Sequence, residues 1–225
     1  MRRRDPRRVL AGYRHARARV RIRRPRAWNA PDGSVTSLDT ADVRLPRSEL
    51  ERLWTPEYLE RLARSYWRFL TRVSLGVLRV LYTPSSREIA VLTRPFVLLR
   101  FLPPQYDIRP DAGSVTWSIE RGLLVAPRGR GRGYLRLTVE RQGDDEGPEA
   151  TVTVTSEVAN FYPRIAGSGW FARIGRVVYG FTQLRAHVIV THAFLRSLAK
   201  LDLEPSVVGA LAPPEKQPPT ALSSR

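Results

Sequence analysis

The chain has 225 residues, is 42% hydrophobic and carries a formal net charge of +17. This length fits one domain with tails, and the absence of cysteine excludes disulfides, thiolate metal sites and a cysteine nucleophile. No apolar run reaches the ~18 residues of a membrane-spanning helix, and no apolar segment follows the basic N-terminus as in a secretory signal. We therefore expect a cytoplasmic protein.

The two ends of the chain have biased compositions. Residues 1–33 begin with twelve arginines and one aspartate up to Arg26. Because like charges at this density resist compaction, the segment predicts a disordered basic arm. Residues 1–26 could bind nucleic acid or an anionic membrane weakly and non-specifically, or be a solvated tail or the product of a misassigned start codon. Residues 204–225, with five prolines, predict a disordered tail, so the folded domain is expected over 34–203.

Two helices are predicted at the start of this domain. Ser48 and Glu51 fit a capping box for a short helix through Trp54. Thr55 fits the N-cap of a second, amphipathic helix that runs to Tyr82, with Pro56 at its first position. Its arginines lie opposite its apolar face, at residues 61, 64, 68, 72 and 79.

After Ser86 the apolar period changes from 3.6 to 2. The candidate strands are REIAVL, FVLLRFL, YDIR, SVTWSIE, GLLVA, GYLRLTVE and ATVTVTSEV. Alternation of this kind is typical of antiparallel strands with one face on a core and one in water. The stretch PRGRGRG, residues 127–133, falls between two strand patterns, so it predicts a hairpin loop more than a nucleic-acid arm. Its Arg128, Arg130 and Arg132 are candidates for anion binding.

The last predicted element is a helix over residues 170–203. Its apolar residues Val177, Phe181, Leu184, Val188 and Leu195 fall within an arc of ~60°.

The order of elements resembles the helix-grip fold of the START-like superfamily, which includes polyketide cyclases and other SRPBCC-type proteins. The shared order is a leading strand near ADVRLP, two helices, an antiparallel meander and a long final helix, over roughly residues 40–203. The resemblance implies an α+β fold in which a curved antiparallel sheet wraps around the C-terminal helix, preceded by two N-terminal helices. It also implies a cavity between sheet and helix for a hydrophobic or amphipathic small molecule such as a lipid. It transfers no catalytic residue.

The candidate ligand-binding residues lie on one strand and on the last helix: Trp117, Tyr179, Phe181, Gln183, Val188 and His192. Tyr179 and Gln183 belong to a polar stripe that continues to His187, which is either a ligand-orienting group or a solvated face. His187 and His192 are five residues apart, about 140° around a helix, so they do not form a metal pair. His192 could be a polar group of the cavity, or a general base, or a hydrogen-bonded histidine at the core edge.

Other polar residues are weaker candidates. Glu157, Asn160 and Tyr162 could converge at the cavity mouth, although Asn160 also fits a turn. Glu120 and Glu157 could form an acid/base pair, but the alternation points Glu157 away from the cavity.

These patterns favour a ligand-binding protein in which catalysis is not evident, with no cofactor and no metal. The sequence contains no recognisable catalytic triad, Walker loop or dinucleotide fingerprint. The alternative is a basic nucleic-acid-binding protein that uses the arm and the 128–132 loop, or a peripheral membrane protein that docks through the arginine face of the second helix. The ligand and the oligomeric state stay open at this stage.

Overall fold

The computed structural model describes residues 17–55, 57–83, 86–91, 96–143, 147–163 and 184–205. Three α-helices lie in this part of the chain: α1 Arg47–Leu53, α2 Tyr58–Val73 and α3 Leu184–Ser197. Ten strands accompany them: β1 Arg19–Ile22, β2 Arg26–Asn29, β3 Val35–Pro46, β4 Leu78–Thr83, β5 Ser86–Val91, β6 Val97–Phe101, β7 Gln105–Ile108, β8 Ala112–Arg121, β9 Tyr134–Gln142 and β10 Glu149–Phe161.

The strands form one open antiparallel sheet. Their order is β1-β3-β10-β9-β8-β6-β5-β4, with β2 paired to β3 and β7 paired to β8. Helices α2 and α3 contact the sheet and each other, and their buried residues belong to the same core cluster as the sheet. The expected fold class, an antiparallel sheet with a C-terminal helix and two helices near the start, is therefore confirmed.

The sheet has one apolar face because its central strands alternate. On β8 and β9 every second residue is buried, and the apolar side chains among them are Val115, Trp117, Ile119, Leu135, Leu137 and Val139. Helix α2 covers this face with residues spaced at the helical period, including Leu59, Tyr66 and Trp67. The indole rings of Trp67 and Trp117 meet edge to face, with 5.1 Å between their centroids. Such aromatic pairs add to the stabilisation from burial alone.

Helix α2 is shorter than predicted, and the prediction of a helix to Tyr82 is wrong. The helix ends at Val73, where Leu75 (φ 54°) and Gly76 (φ 80°) adopt left-handed conformations. The Gly76 N–H donates to Thr71 O, which satisfies a carbonyl that the last turn would leave free. The β-branched residues that follow then pair with β5 as strand β4, so tertiary pairing overrides the helical spacing.

The predicted helix caps also differ from the structure. Pro46 stands at the N-cap of α1 without a side-chain cap bond, and α2 begins after Glu57 rather than at Thr55. Pro56 lies outside the described residues. The start of α1 follows from the sheet, because β3 pairs with β10 up to Pro46 and the Arg47 N–H donates to Pro148 O.

The segment between β8 and β9 is a hairpin connection, as the PRGRGRG stretch predicts. The two flanking strands are antiparallel neighbours, and Pro127–Gly129 forms a single 3₁₀ turn between them. The prediction of a strand at GLLVA is wrong. This stretch begins with Gly122 (φ 156°), and only its Val125 forms a bridge, with Pro163.

Part of the expected N-terminal arm is ordered. Strands β1 and β2 both pair with β3, which differs from the disorder expected over residues 1–33. Arg23 donates to both carboxylate oxygens of Asp42, and β1 directs Val20 and Ile22 towards the core. These contacts are made with β3, which lies outside the arginine-rich segment, and they offset the charge repulsion that the composition of that segment implies. Residues 1–16 and 206–225 lie outside the described residues.

Candidate functional site

A buried carboxylate lies on the mostly apolar inner face of β3. The alternation of this strand directs Asp39, Ala41, Val43 and Leu45 inward, and Asp39 is fully buried. An ionised carboxylate in such a position is costly unless other groups solvate it. One such group is Ser37, whose Oγ donates to Asp39 Oδ2 at 3.4 Å.

The C-terminal helix brings a histidine to this carboxylate. His192 Nε2 lies 3.1 Å from Asp39 Oδ1, and the imidazole retains about a fifth of its exposure. The position follows from the helical period, because Thr191, Phe194 and Leu195 form the buried stripe of α3 and His192 lies at its edge.

A hydrogen-bonded tyrosine and threonine lie beside this pair. The side chains of Tyr66 on α2 and Thr191 on α3 are hydrogen-bonded, and both residues are buried. Burial raises the pKa of the Tyr66 hydroxyl, and the nearby charge of Asp39 raises it further. Phe194 packs edge to face on the Tyr66 ring with 5.1 Å between the centroids, so the hydroxyl has little freedom to move.

We call the set of Ser37, Asp39, Ser156, Thr191 and His192 the polar corner. Ser156 belongs to it because it is fully buried on β10 and is the register partner of Asp39. Burial raises the pKa of the Asp39 carboxyl, and the neighbouring His192 acts in the opposite direction. The corner can therefore accept hydrogen bonds, stabilise a cationic group or exchange a proton between carboxyl and imidazole.

Two indole N–H groups also lie in the core without acceptors. Trp67 Nε1 and Trp117 Nε1 are inaccessible to solvent and have no hydrogen-bond partner within the described part of the chain. Buried indole groups usually find a partner, so these two donors are unusual features of the interior.

The predicted ligand-binding residues are only partly described. Trp117 is fully buried in the core, and His192 lies in the polar corner. Val188 is on α3, and its side chain is outside the described part. Tyr179, Phe181 and Gln183 lie outside the described residues. The lining of a cavity by this set stays a prediction.

The weaker candidates do not converge. Glu157 accepts a hydrogen bond from the Tyr134 hydroxyl at 2.9 Å, on the outer face of the sheet. Glu120 pairs with Arg100 at 3.0 Å. The Tyr162 hydroxyl donates to Asp32, and this bond is the main reason that the pKa of Asp32 is lowered to about 2. Neither glutamate is therefore in the polar corner.

The arginines of the 127–133 loop contact a tyrosine ring. The guanidinium carbons of Arg128 and Arg132 lie 5.6 Å and 5.9 Å from the centre of the Tyr162 ring, within cation–π distance. Arg130 is exposed. Their anion binding stays a prediction.

The arginines of α2 are largely engaged within the chain. Arg61 and Arg68 donate to Glu204, and Arg64 pairs with Glu60 at 3.7 Å. Docking through this helix face would have to displace these contacts.

An open groove of about 580 Å³ lies on the outer face of the sheet, away from the polar corner. Its lining is mainly polar and includes Gln105, Thr116, Arg136, Thr138 and Glu140.

The sequence reasoning missed Asp39. The signal was present, because the alternation of β3 places this aspartate on the same face as Ala41, Val43 and Leu45. Only the last part of β3, ADVRLP, was interpreted as a strand, and Asp39 lies just before it.

Comparisons with known proteins give only distant similarities. No family model and no curated protein matches the chain. Among solved structures, human STARD10 is 11% identical with a TM-score of 0.30, and the alignment covers 79% of this chain and 73% of that one. CalU16 from Micromonospora echinospora is 8% identical with a TM-score of 0.29 and coverages of 81% and 98%. An uncharacterised protein from Rhizobium leguminosarum is 13% identical with a TM-score of 0.29 and coverages of 74% and 99%. Similarities at this level carry no argument about function.

Two further findings concern the described part of the chain. No helix in it is long and apolar enough to cross a membrane. The same residues contain no group of three or more histidine, aspartate or glutamate side chains placed to hold a metal ion.

Proposed function

We propose that this protein is a START-like domain that binds a hydrophobic or amphipathic small molecule between the sheet and the C-terminal helix. The polar corner contacts the polar end of the ligand, and the apolar inner face contacts the rest. Pockets of this kind combine apolar walls with a few placed polar groups.

The observation that carries the proposal is the Asp39–His192 pair. A carboxylate and an imidazole lie 3.1 Å apart on an inner face whose other side chains are mostly apolar and packed in the core. Ionisable groups buried in such surroundings cost stability even when they are paired, and they are concentrated at functional sites. The indole N–H groups of Trp67 and Trp117 support the same reading, because they are donors that a ligand could satisfy after a local rearrangement.

Equilibrium binding of fluorescent probes tests the proposal. We would titrate the full chain with a pyrene-labelled fatty acid and with the matching alcohol and amine. We expect saturable binding of at least one probe at about one molecule per chain. Asp39→Asn and His192→Gln should each weaken it by about tenfold, which is the effect of losing one charged hydrogen bond in a buried site.

The chain offers a matched control in the same strand. Asp42 lies three residues from Asp39 but on the outer face, where it accepts bonds from Arg23 and Thr153. Asp42→Asn should leave probe affinity unchanged. If none of the probes binds saturably to a chain with a native circular dichroism spectrum, or if both aspartate variants weaken binding equally, the proposal fails.

A further inference from the structure

Several exposed apolar residues lie at one end of the sheet. Val73, Leu75 and Val77 follow one another at the turn from α2 to β4, and Phe96 and Leu123 lie in two other connections. We call these five residues the apolar rim. Leu75 is the extreme case, with 87% of its surface exposed.

The strand register shows that the three connections share this end. Leu78, the first residue of β4, pairs with Val91, the last residue of β5. The Val91 N–H donates to Phe96 O, and the Leu123 N–H donates to Val97 O. The turn before β4, the start of β6 and the segment after β8 are thus consecutive along one edge of the molecule.

Basic residues flank the apolar rim. Arg72 and Arg79 are exposed on either side of the turn, and neither has an ion-pair partner among the described residues. Farther along the same end, the 127–133 loop adds the exposed Arg128, Arg130 and Arg132. Among the described loops at this end of the sheet, the acidic side chain is that of Asp32. Its carboxylate already accepts hydrogen bonds from Tyr162 and Ser34.

Leu75 is exposed in an unfavourable backbone conformation. Leucine is unfavourable at φ 54°, where glycine or asparagine would be more stable, and the side chain contributes no packing to the core. Strained positions of this kind often mark functional segments. A solvent-exposed leucine in a strained turn is best explained by a contact that it makes outside the chain.

We propose that the apolar rim docks the protein on an anionic lipid bilayer. Leu75, Val77 and Phe96 would enter the boundary between headgroups and acyl chains, and the flanking arginines would contact lipid phosphates and carboxylates. The exposed apolar side chains favour this partner over nucleic acid, because the phosphate backbone of a nucleic acid has no apolar region in which aliphatic side chains can be buried. This docking surface does not include the α2 arginines that pair with Glu204 and Glu60, and it does not depend on the proposed ligand site.

Vesicle co-sedimentation with the full chain tests the proposal. Vesicles of phosphatidylcholine alone are compared with vesicles containing 30% phosphatidylserine. We expect binding to the anionic vesicles that falls with salt, and weak binding to the neutral ones. Leu75→Glu should reduce the binding by about tenfold, because a carboxylate replaces the inserted side chain and repels the surface. Arg72→Gln combined with Arg79→Gln should reduce it on anionic vesicles alone.

Ile108 supplies the matched control. It is 54% exposed at the opposite end of the sheet, on β7, and Ile108→Glu should leave vesicle binding unchanged. Circular dichroism and thermal melting establish that each variant is folded. Equal loss for Leu75→Glu and Ile108→Glu, or no loss for Leu75→Glu, would overturn the proposal. So would binding of a labelled RNA or DNA oligonucleotide that Leu75→Glu leaves intact while no vesicle is bound.

Discussion

The two halves of the inner face of the sheet differ in their contribution to the stability of the fold. On β8 and β9 the inward residues are apolar and α2 packs on them, with Trp67 and Trp117 in contact. At the polar corner, where β3 and β10 meet α3, the inward residues include Asp39, Ser156 and His192. The first half stabilises the protein by removing apolar surface from water, at about 25 cal/mol per Å².

The polar corner has the opposite balance. Its groups lose water on folding and recover only part of that energy from one another, as the raised pKa of the Asp39 carboxyl indicates. Residues of the apolar half should therefore control stability, and residues of the polar corner should control binding and pH response. Each of the following changes tests one side of this difference.

The largest effect is expected in the apolar half. Trp117→Ala removes a fully buried indole that contacts Trp67, and should lower the free energy of unfolding by ~3–5 kcal/mol. Urea denaturation measures it. Thr138→Ala, on the outer face of the neighbouring strand, is the control and should change stability by less than about 0.5 kcal/mol. Similar values for the two variants would contradict the assignment of Trp117 to a packed core.

A smaller loss of stability is expected when the close contact between α2 and β8 is disturbed. A Cβ at Gly113 would clash with the Tyr58 hydroxyl oxygen and would lie 2.8 Å from Leu59 Cδ1. Gly113→Ala should therefore destabilise the fold by ~1–3 kcal/mol, the usual range for overpacking.

The hydroxyl of Tyr58 offers a way to sharpen this test. It is buried without a hydrogen-bond partner in the described part of the chain, and burial raises its pKa to about 12. Tyr58→Phe alone should be neutral or stabilising, and in the Gly113→Ala background it should recover part of the loss. Strict additivity of the two changes would exclude this contact as the cause.

How far the sequence predicts these features depends on whether their cause is local. The alternation in GYLRLTVE and ATVTVTSEV correctly predicts β9 and β10, because burial of one face imposes a period of two. The helix predicted after Thr55 is longer than the observed one, because pairing with β5 decides between helix and strand after Gly76. The order of β1 and β2 likewise depends on pairing with β3, which lies outside the arginine-rich segment whose composition predicts disorder.

The candidate site was predicted only in part for the same reason. His192 could be identified from its position beside the apolar arc of the last helix, but its role depends on Asp39, more than 150 residues earlier. Nothing in a single sequence brings those two residues together before the sheet and α3 are placed.

The polar corner should appear in the pH dependence of stability. Because burial raises the pKa of Asp39, the folded state binds this proton more tightly than the unfolded state does. The contribution of Asp39 is then fully present below the ordinary pKa of 3.8 and is lost as the pH rises through the folded pKa.

Chemical denaturation at a series of pH values measures this contribution of Asp39 to the free energy of unfolding. Relative to Asp39→Asn, the wild-type chain should lose stability as the pH is raised above about 4. His192→Gln should extend that loss to higher pH, because the imidazole that favours the carboxylate is removed while the burial remains. Asp42→Asn should not reproduce the wild-type difference, since Arg23 lowers the pKa of Asp42. Parallel pH profiles for wild type and Asp39→Asn would show that Asp39 does not titrate as a buried acid.

The smallest effect is expected away from both halves, at the exposed Asp32. Its pKa is lowered to about 2, first by the hydrogen bond from the Tyr162 hydroxyl and then by bonds from Ser34. This group has the opposite sign to Asp39, because its contribution is present above pH 3.8 and is lost as the pH falls towards 2. Tyr162→Phe removes the main donor while keeping the ring under Arg128 and Arg132, so the pKa of Asp32 should rise towards 3.8. Carbon-detected NMR titration of the Asp32 carboxyl measures the shift directly, and stability at neutral pH should fall only by the contribution of this hydrogen bond, which is small for an exposed carboxylate. An unchanged Asp32 pKa would mean that the Ser34 bonds alone hold it down, and a large loss of stability at pH 7 would mean that Tyr162 contributes packing that this hydrogen bond does not explain.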